Sequence, residues 1–132
     1  MLIGPEVRDV KSVLDAAAIP VGAGATVWSR SFSLRFGKYF ALAYLAGSAG
    51  AVDLTIQLEQ SFYPLTEAEE GLANAKYVIP ESLPDIHTNL ADTLWHNKSF
   101  SPVAMPYGRL KITSAAGVAN TLTPKLSVQE EV

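Results

Sequence analysis

The sequence predicts an all-β fold: a single-domain antiparallel β-sandwich, jelly-roll-like, with one short helix in a long central connection. Three observations predict it. Apolar and polar residues alternate with a period of two over several stretches, as they do when successive strand side chains point to opposite faces of a sheet. The links between these stretches are short and rich in small residues, which suits antiparallel neighbours. The 132 residues make one domain's length, 1–132. A domain of that size buries roughly 65–70% of its unfolded surface, so it needs no disulfide or metal staple.

Residues 1–24 read as an N-terminal arm or entry segment. Within it Val7 to Leu14 is open between states, with Val10, Val13 and Leu14 at helical spacing. Ala16 to Gly24 is small and turn-rich, a connection. Its Gly22-Ala23-Gly24 lacks the third glycine, the preceding strand and the following helix of a dinucleotide site.

From Thr26 to Phe36, Trp28, Phe32, Leu34 and Phe36 share one face, and Ser29, Ser31, Ser33 and Arg35 the other. Trp28 and Phe32 are therefore expected in the core. Arg30 interrupts the apolar face, which fits an edge where its head reaches water. In Lys38 to Gly47 both faces are apolar: Phe40, Leu42 and Tyr44 on one, Tyr39, Ala41, Ala43 and Leu45 on the other. That is a central strand covered on both sides, one covered by a loop, or one whose outer face meets another subunit.

Ala51 to Tyr63 alternates most regularly, with Val52, Leu54, Ile56, Leu58, Gln60 and Phe62 opposite Asp53, Thr55, Gln57, Glu59 and Ser61. Residues 64–106 read as one long connection. In it Thr66-Glu67-Ala68-Glu69 fits a capping box, with Thr66 as N-cap, Glu69 reaching back and Gly71 stopping the helix after a turn or two. Ala75 to Ile79 reads as a short strand closed by Pro80. Asp85 to His96 fits a helical face through Ile86, Leu90 and Leu94, or a loop and a strand through Leu94-Trp95. Ser99 to Pro106 reads as extended.

Two further strands close the chain. In Tyr107 to Ser114, Leu110 and Ile112 oppose Arg109, Lys111 and Thr113. In Asn120 to Gln129, Leu122, Leu126 and Val128 oppose Thr121, Thr123, Lys125 and Ser127. Pro124 cannot donate to a ladder, which predicts an edge strand or a bulge. The short links Phe36-Gly37-Lys38, Gly47 to Gly50 and Ala115 to Asn120 predict that the strands they join are hydrogen-bonded neighbours.

Composition narrows function. Absence of cysteine excludes disulfides, thiolate metal sites and cysteine nucleophiles. A net charge of −3 and a pI near 5.3 argue against a nucleic-acid partner, which needs a basic stripe. Charged residues are 17% and apolar ones 48%, so part of the surface is expected to be covered by a protein partner. The start carries no basic segment followed by an apolar one, and the longest apolar run, Tyr39 to Gly47, is far short of the ~18–20 residues of a membrane span. The expectation is a soluble, unprocessed chain with no membrane partner.

Chemistry is sparse. His87 and His96 are the histidines. Asp85 and Asp92 stand near them, but a metal site needs three or four converging groups, so the plain reading is loop histidines in ordinary hydrogen bonds. A metalloenzyme with His87, Asp92 and His96 as ligands is the rival. There is no Gly-x-Ser-x-Gly elbow. Glu67, Glu69 and Glu70 suit a helix N-terminus, and their spacing specifies no facing pair across a cleft. No catalytic, cofactor-binding or metal-ligating residue is assigned, no cofactor is expected, and the chain reads as a non-enzyme. Tyr63, Trp95 and Tyr107 are read as core or interface anchors ahead of a ligand platform.

The entry Leu14-Asp15-Ala16-Ala17-Ala18-Ile19-Pro20-Val21-Gly22-Ala23-Gly24-Ala25-Thr26-Val27-Trp28 resembles that of small β-sandwich proteins of tailed-phage virions. Tyr39 to Ala46 followed by Gly50 to Ser61 is similar to their strand pair, and Tyr107 to Ile112 with Thr121-Leu122-Thr123 to their closing hairpin. Together these stretches cover about two thirds of the chain, and 64–102 has no counterpart. The resemblance implies a non-enzymatic structural protein located in the virion. It would be a capsid decoration or cement protein, or a head or tail accessory protein. It would bind neighbouring capsid subunits through apolar sheet and loop contacts, as a homo-oligomer with a trimer favoured. A carbohydrate- or receptor-binding module on the same fold is the alternative.

Overall fold

The computed structural model describes residues 10–35, 37–83, 85–100 and 105–130. They form the strands β1 (Val10–Asp15), β2 (Ile19–Val21), β3 (Thr26–Trp28), β4 (Phe32–Ser33), β5 (Gly37–Ser48), β6 (Leu54–Ser61), β7 (His87–Leu90), β8 (His96–Phe100), β9 (Tyr107–Ser114) and β10 (Asn120–Glu130). Residues 1–9 of the entry segment, Phe36 of the predicted apolar face, Pro84, and residues 101–104 of the extended connection lie outside the described residues.

The strands make two antiparallel sheets. The first has the order β1-β10-β5-β8, with β2 also on β10; the second has the order β3-β9-β6-β7, with β4 also on β9. β1 and β2 lie end to end along β10, and β3 and β4 along β9, so each couple acts as one interrupted strand. Taking each couple once, the first strand pairs with the last, the second with the next to last, β5 with β8, and β6 with β7. The contacts β10–β5 and β9–β6 then close each sheet. This is the double wrap of a jelly roll.

That wrap corrects the reading of the short links. β4 and β5, β5 and β6, and β9 and β10 are consecutive, yet in each case the two strands belong to different sheets. The links arch across the core, so neither Tyr39 to Ala46 with Gly50 to Ser61 nor Tyr107 to Ile112 with Thr121 to Thr123 is a hairpin. Alternation specifies which face of a strand is buried; the global wrap decides its neighbour.

The predicted short helix is not formed: residues 67–71 make turns, and the described residues contain no helix. The capping interaction is nevertheless present. Glu69 Oε1 accepts from the Thr66 N–H at 3.0 Å, and the Glu70 N–H donates to Thr66 O at 3.1 Å. Gly71 then turns away with φ +77, and one turn without a following one does not repay helix nucleation.

The entry segment carries β1 and β2, so the helical spacing of Val10, Val13 and Leu14 yields to pairing with β10. The stretch 64–106 carries β7 and β8, and Ala75 to Ile79 contributes one bridge, Val78 to Gln60. Leu94 and Trp95 sit exposed in the 91–95 link, ahead of β8.

The inner faces meet in one core. Phe40, Leu42, Tyr44, Leu122, Leu126 and Val128 of the first sheet pack with Leu54, Ile56, Leu58, Leu110 and Ile112 of the second. Burial of each large aliphatic side chain contributes about 1.5–3 kcal/mol.

Trp28 departs from expectation. It pairs with Lys111, on the outward side of β9, while its neighbour Val27 packs against the core. The ladder breaks between β3 and β4, so the parity that placed Trp28 with Phe32 does not carry across; Phe32 and Leu34 are in the core. Pro124 is also placed differently. β10 is central, flanked by β5 on one side and β1 and β2 on the other. The Pro124 carbonyl accepts from the Ala16 N–H at 3.3 Å, so its nitrogen faces the break between β1 and β2, where no ladder partner is lost.

Candidate functional site

The two outer faces differ. On the second sheet the chain after β6 folds back as a cover. Glu59 and Arg109 point outward from β6 and β9, yet both are buried, with Arg109 Nε 2.8 Å from Glu59 Oε1. The guanidinium lies over the rings of Trp28 (5.1 Å) and Tyr77 (4.9 Å), and its Nη1 donates to Leu72 O at 2.7 Å. Two carboxylates of the turn reach the β3–β4 break. Glu67 Oε1 pairs with Arg30 Nη2 at 2.6 Å on the surface, and Glu70 accepts from the Ser31 N–H and hydroxyl. Arg30 thus sits at an edge in water, as its position predicted. The guanidinium holds the Glu67 carboxyl below its ordinary range, and hydrogen bonds from Thr66 do the same for Glu69.

The outer face of the first sheet is a different surface. One row runs straight across four strands: Ser12, Ser127, Ala41 and Ser99. The next is Asp15, Lys125, Ala43 and Asn97, with Lys125 Nζ 3.0 Å from Asp15 Oδ1. Ala41, Ala43 and Leu45 are half-buried there, and Tyr39 is 46% exposed. β5 therefore has one face in the core and an apolar outer face partly open to solvent. At the Tyr39 end a groove of about 480 Å³ is lined by Tyr39, Ala41, Ser99, Phe100, Ser127 and Gln129.

The sequence-singled histidines meet at the edge where β7 and β8 close the sandwich. His87 Nδ1 is 2.7 Å from the Tyr44 hydroxyl, and His96 Nε2 is 2.8 Å from Asp92 Oδ1. The two imidazoles cross edge-on at 5.0 Å, and His96 stacks on Tyr44 at 5.5 Å. Asp85 is engaged elsewhere, by Gln57 Nε2 at 2.8 Å and by Thr88. Among the described residues no three His, Cys, Asp or Glu side chains are placed to hold a metal ion. Tyr44 is the member of this cluster that sequence reasoning missed, because it comes from the other sheet and no local pattern links it to His87.

The remaining aromatics do not gather into a platform. Tyr63 lies under Lys76 at 4.4 Å, Tyr107 under Arg35 at 5.4 Å, and Trp95 sits in the 91–95 link. Gly22-Ala23-Gly24 is a turn between β2 and β3. The Ala25 N–H donates to Gly22 O at 3.0 Å, and Gly24 takes φ +68 as the third residue of a type II turn must.

No protein-family model and no curated protein matches this sequence. Solved structures do resemble the fold. A chain of the infectious bursal disease virus Gx strain structure aligns with TM-score 0.53 at 9% identity, over 99% of this chain and 37% of the viral one. The CBM22-1 xylan-binding domain of Paenibacillus barcinonensis Xyn10C aligns with TM-score 0.50 at 11% identity, over 96% of this chain and 86% of that domain. The Yersinia pseudotuberculosis-derived mitogen aligns with TM-score 0.46 at 10% identity, over 92% of this chain and 87% of the mitogen. At such identities the likeness is one of fold: the chain is an all-β, two-sheet jelly-roll sandwich, an architecture that it has in common with the viral chain and the xylan-binding domain.

Proposed function

We propose that this chain is a non-enzymatic structural protein of a virus particle, a decoration or cement protein that binds neighbouring capsid subunits. The observation that carries the reading is the outer face of the first sheet. Its side chains are small and uncharged along the row Ser12, Ser127, Ala41 and Ser99, and a partner can approach the backbone closely there. The other outer face is occupied by the chain's own cover, held by Glu59 and Arg109. An interface of about 800 Å² a side on this surface would be of standard size. The composition, with 17% charged residues, and the resemblance to tailed-phage virion proteins support the same reading, in which copies sit on the virion as homo-oligomers, with trimers favoured. Light scattering of the purified chain, together with sedimentation after mixing with undecorated capsids of the virus that encodes it, tests this. An oligomer that co-sediments in saturable amounts is the expected result; a monomer that stays in the supernatant would remove the reading.

A second reading rests on the groove beside Tyr39, which the half-exposed Tyr39 lines together with Ser99 and Ser127. A sugar ring with polar edges and apolar faces fits such a lining, and the likeness to a xylan-binding domain gives the same fold a precedent for glycan binding. Titration with xylo-oligosaccharides separates the two: saturable heat with quenching of tyrosine emission supports the glycan reading, and none supports the virion one.

A further inference from the structure

We propose that Tyr44, His87, His96 and Asp92 form an acid-sensitive latch, which holds the edge strand β7 of the second sheet against β5 and β8 of the first and releases it when His87 takes a proton. The geometry is that of two sheets tied at one edge. Tyr44 comes from β5, His96 from β8, Asp92 from the link between β7 and β8, and His87 from β7 itself. Tyr44 is 3% exposed, and its hydroxyl meets His87 Nδ1 at 2.7 Å.

Neutral His87 can accept the Tyr44 proton at Nδ1. Protonated, it has N–H on both nitrogens and can only donate. Nδ1–H then donates to the Tyr44 oxygen, and the displaced Tyr44 O–H turns into a buried surrounding at the cost of an unmade hydrogen bond. The new cation also stands edge-on to the His96 ring at 5.0 Å.

The groups facing His87 from each packed element are Tyr44 of β5, His96 and Lys98 of β8, and Asp92 of the link; β6 presents the apolar Ile56 opposite it. Burial pushes the His87 imidazole below its ordinary 6.5, His96 and Lys98 push the same way, and Asp92 opposes them. Burial likewise raises Tyr44, so its hydroxyl stays protonated and able to donate.

β7 is suited to local release. It is an edge strand of four residues, and its pairing with β6 shifts register between Leu54 and Ile56. Thr88 and Asn89 there stand against Thr55 alone, with Asn89 at φ +52 and its N–H on Thr55 Oγ1 at 3.2 Å. Short bulged edges belong to the low-stability end of a fold. Because the folded His87 binds its proton less tightly than the unfolded one, the latch contributes its full stability above the ordinary histidine value. It loses that contribution as pH falls from there through the folded value.

The test is amide exchange of the full chain, compared at about pH 7.5 and about pH 5.5 after correction for intrinsic rates, with an NMR titration of the His87 ring. The expected result is protection at residues 87–90 that falls severalfold and at most about tenfold between the two pH values, with the β6–β9 ladder unchanged. His87→Gln, which cannot titrate, should abolish the pH dependence. A His87 ring that titrates at or above the ordinary value would overturn the proposal, as would protection that is flat at β7 or falls equally everywhere. If His87→Gln fails to fold, the ring titration of the unaltered chain decides alone.

Discussion

Arg109 is wholly buried on the outward side of its strand, with its Nε 2.8 Å from Glu59 Oε1. An outward position on a sandwich is ordinarily wet, so this ion pair exists because the chain after β6 roofs it. Leu72 O accepts from Nη1 and Tyr77 covers the guanidinium, while Nη2 is buried with no partner. Breaking such a pair by removing one partner costs about 3–5 kcal/mol, because the other charge is left buried and unpaired. Arg109→Ala and Glu59→Ala are each expected to cost that much in urea denaturation. The double replacement Glu59→Leu with Arg109→Met should cost less than either single change. Equal losses in all three would show that the roof, and not the charge pair, carries the stability.

The turn over the second sheet should loosen in acid before the core does. Glu67 and Glu69 are held below their ordinary 4.5 by Arg30 and by Thr66 respectively. Lowered carboxyls contribute stability above the ordinary value and lose it as pH falls through the folded ones. Carbon-13 titration of the two side-chain carboxyls should therefore give midpoints below those of model peptides, and removal of Arg30 by Arg30→Gln should raise that of Glu67. Midpoints at the ordinary value would contradict these contacts.

Gly108 is a point where side chains crowd the backbone. A Cβ there would stand 2.9 Å from Leu34 Cδ1, 3.0 Å from Phe32 Cε1 and 3.3 Å from Glu59 O. Two of these are core side chains and the third is backbone, so Gly108→Ala is expected to destabilise by about 1–3 kcal/mol. Thermal unfolding measures it. An unchanged midpoint would mean that Phe32 and Leu34 repack freely around the added methyl.

Much of this fold was legible in the alternation. The inward rows Leu54, Ile56, Leu58 and Leu122, Leu126, Val128 are where the period-two pattern put them, because burial of one strand face is a local property. What was not legible depends on distant contacts. The short links look the same whether they close a hairpin or arch to the other sheet. Trp28 changes face at a ladder break that Ser29 to Ser31 do not announce. Arg109 reads as solvent-facing until Leu72 and Tyr77, far along the chain, are folded over it. The histidine cluster was half visible, since Asp92 and His96 are local neighbours, but Tyr44 joins it only through the sheet wrap.

If the proposed function holds, the outer face of the first sheet is the surface that holds a neighbouring subunit. The most direct measurement compares the unaltered chain with Ala41→Arg in sedimentation with undecorated capsids, after thermal unfolding has shown that both are equally folded. Ala41 is half-buried in the middle of the small-residue row, so a long cation there blocks close approach while leaving the core untouched. The prediction is saturable binding by the unaltered chain and at least about a tenfold loss for the variant, which corresponds to ~1.4 kcal/mol. Equal binding by both chains, or by neither, would contradict it.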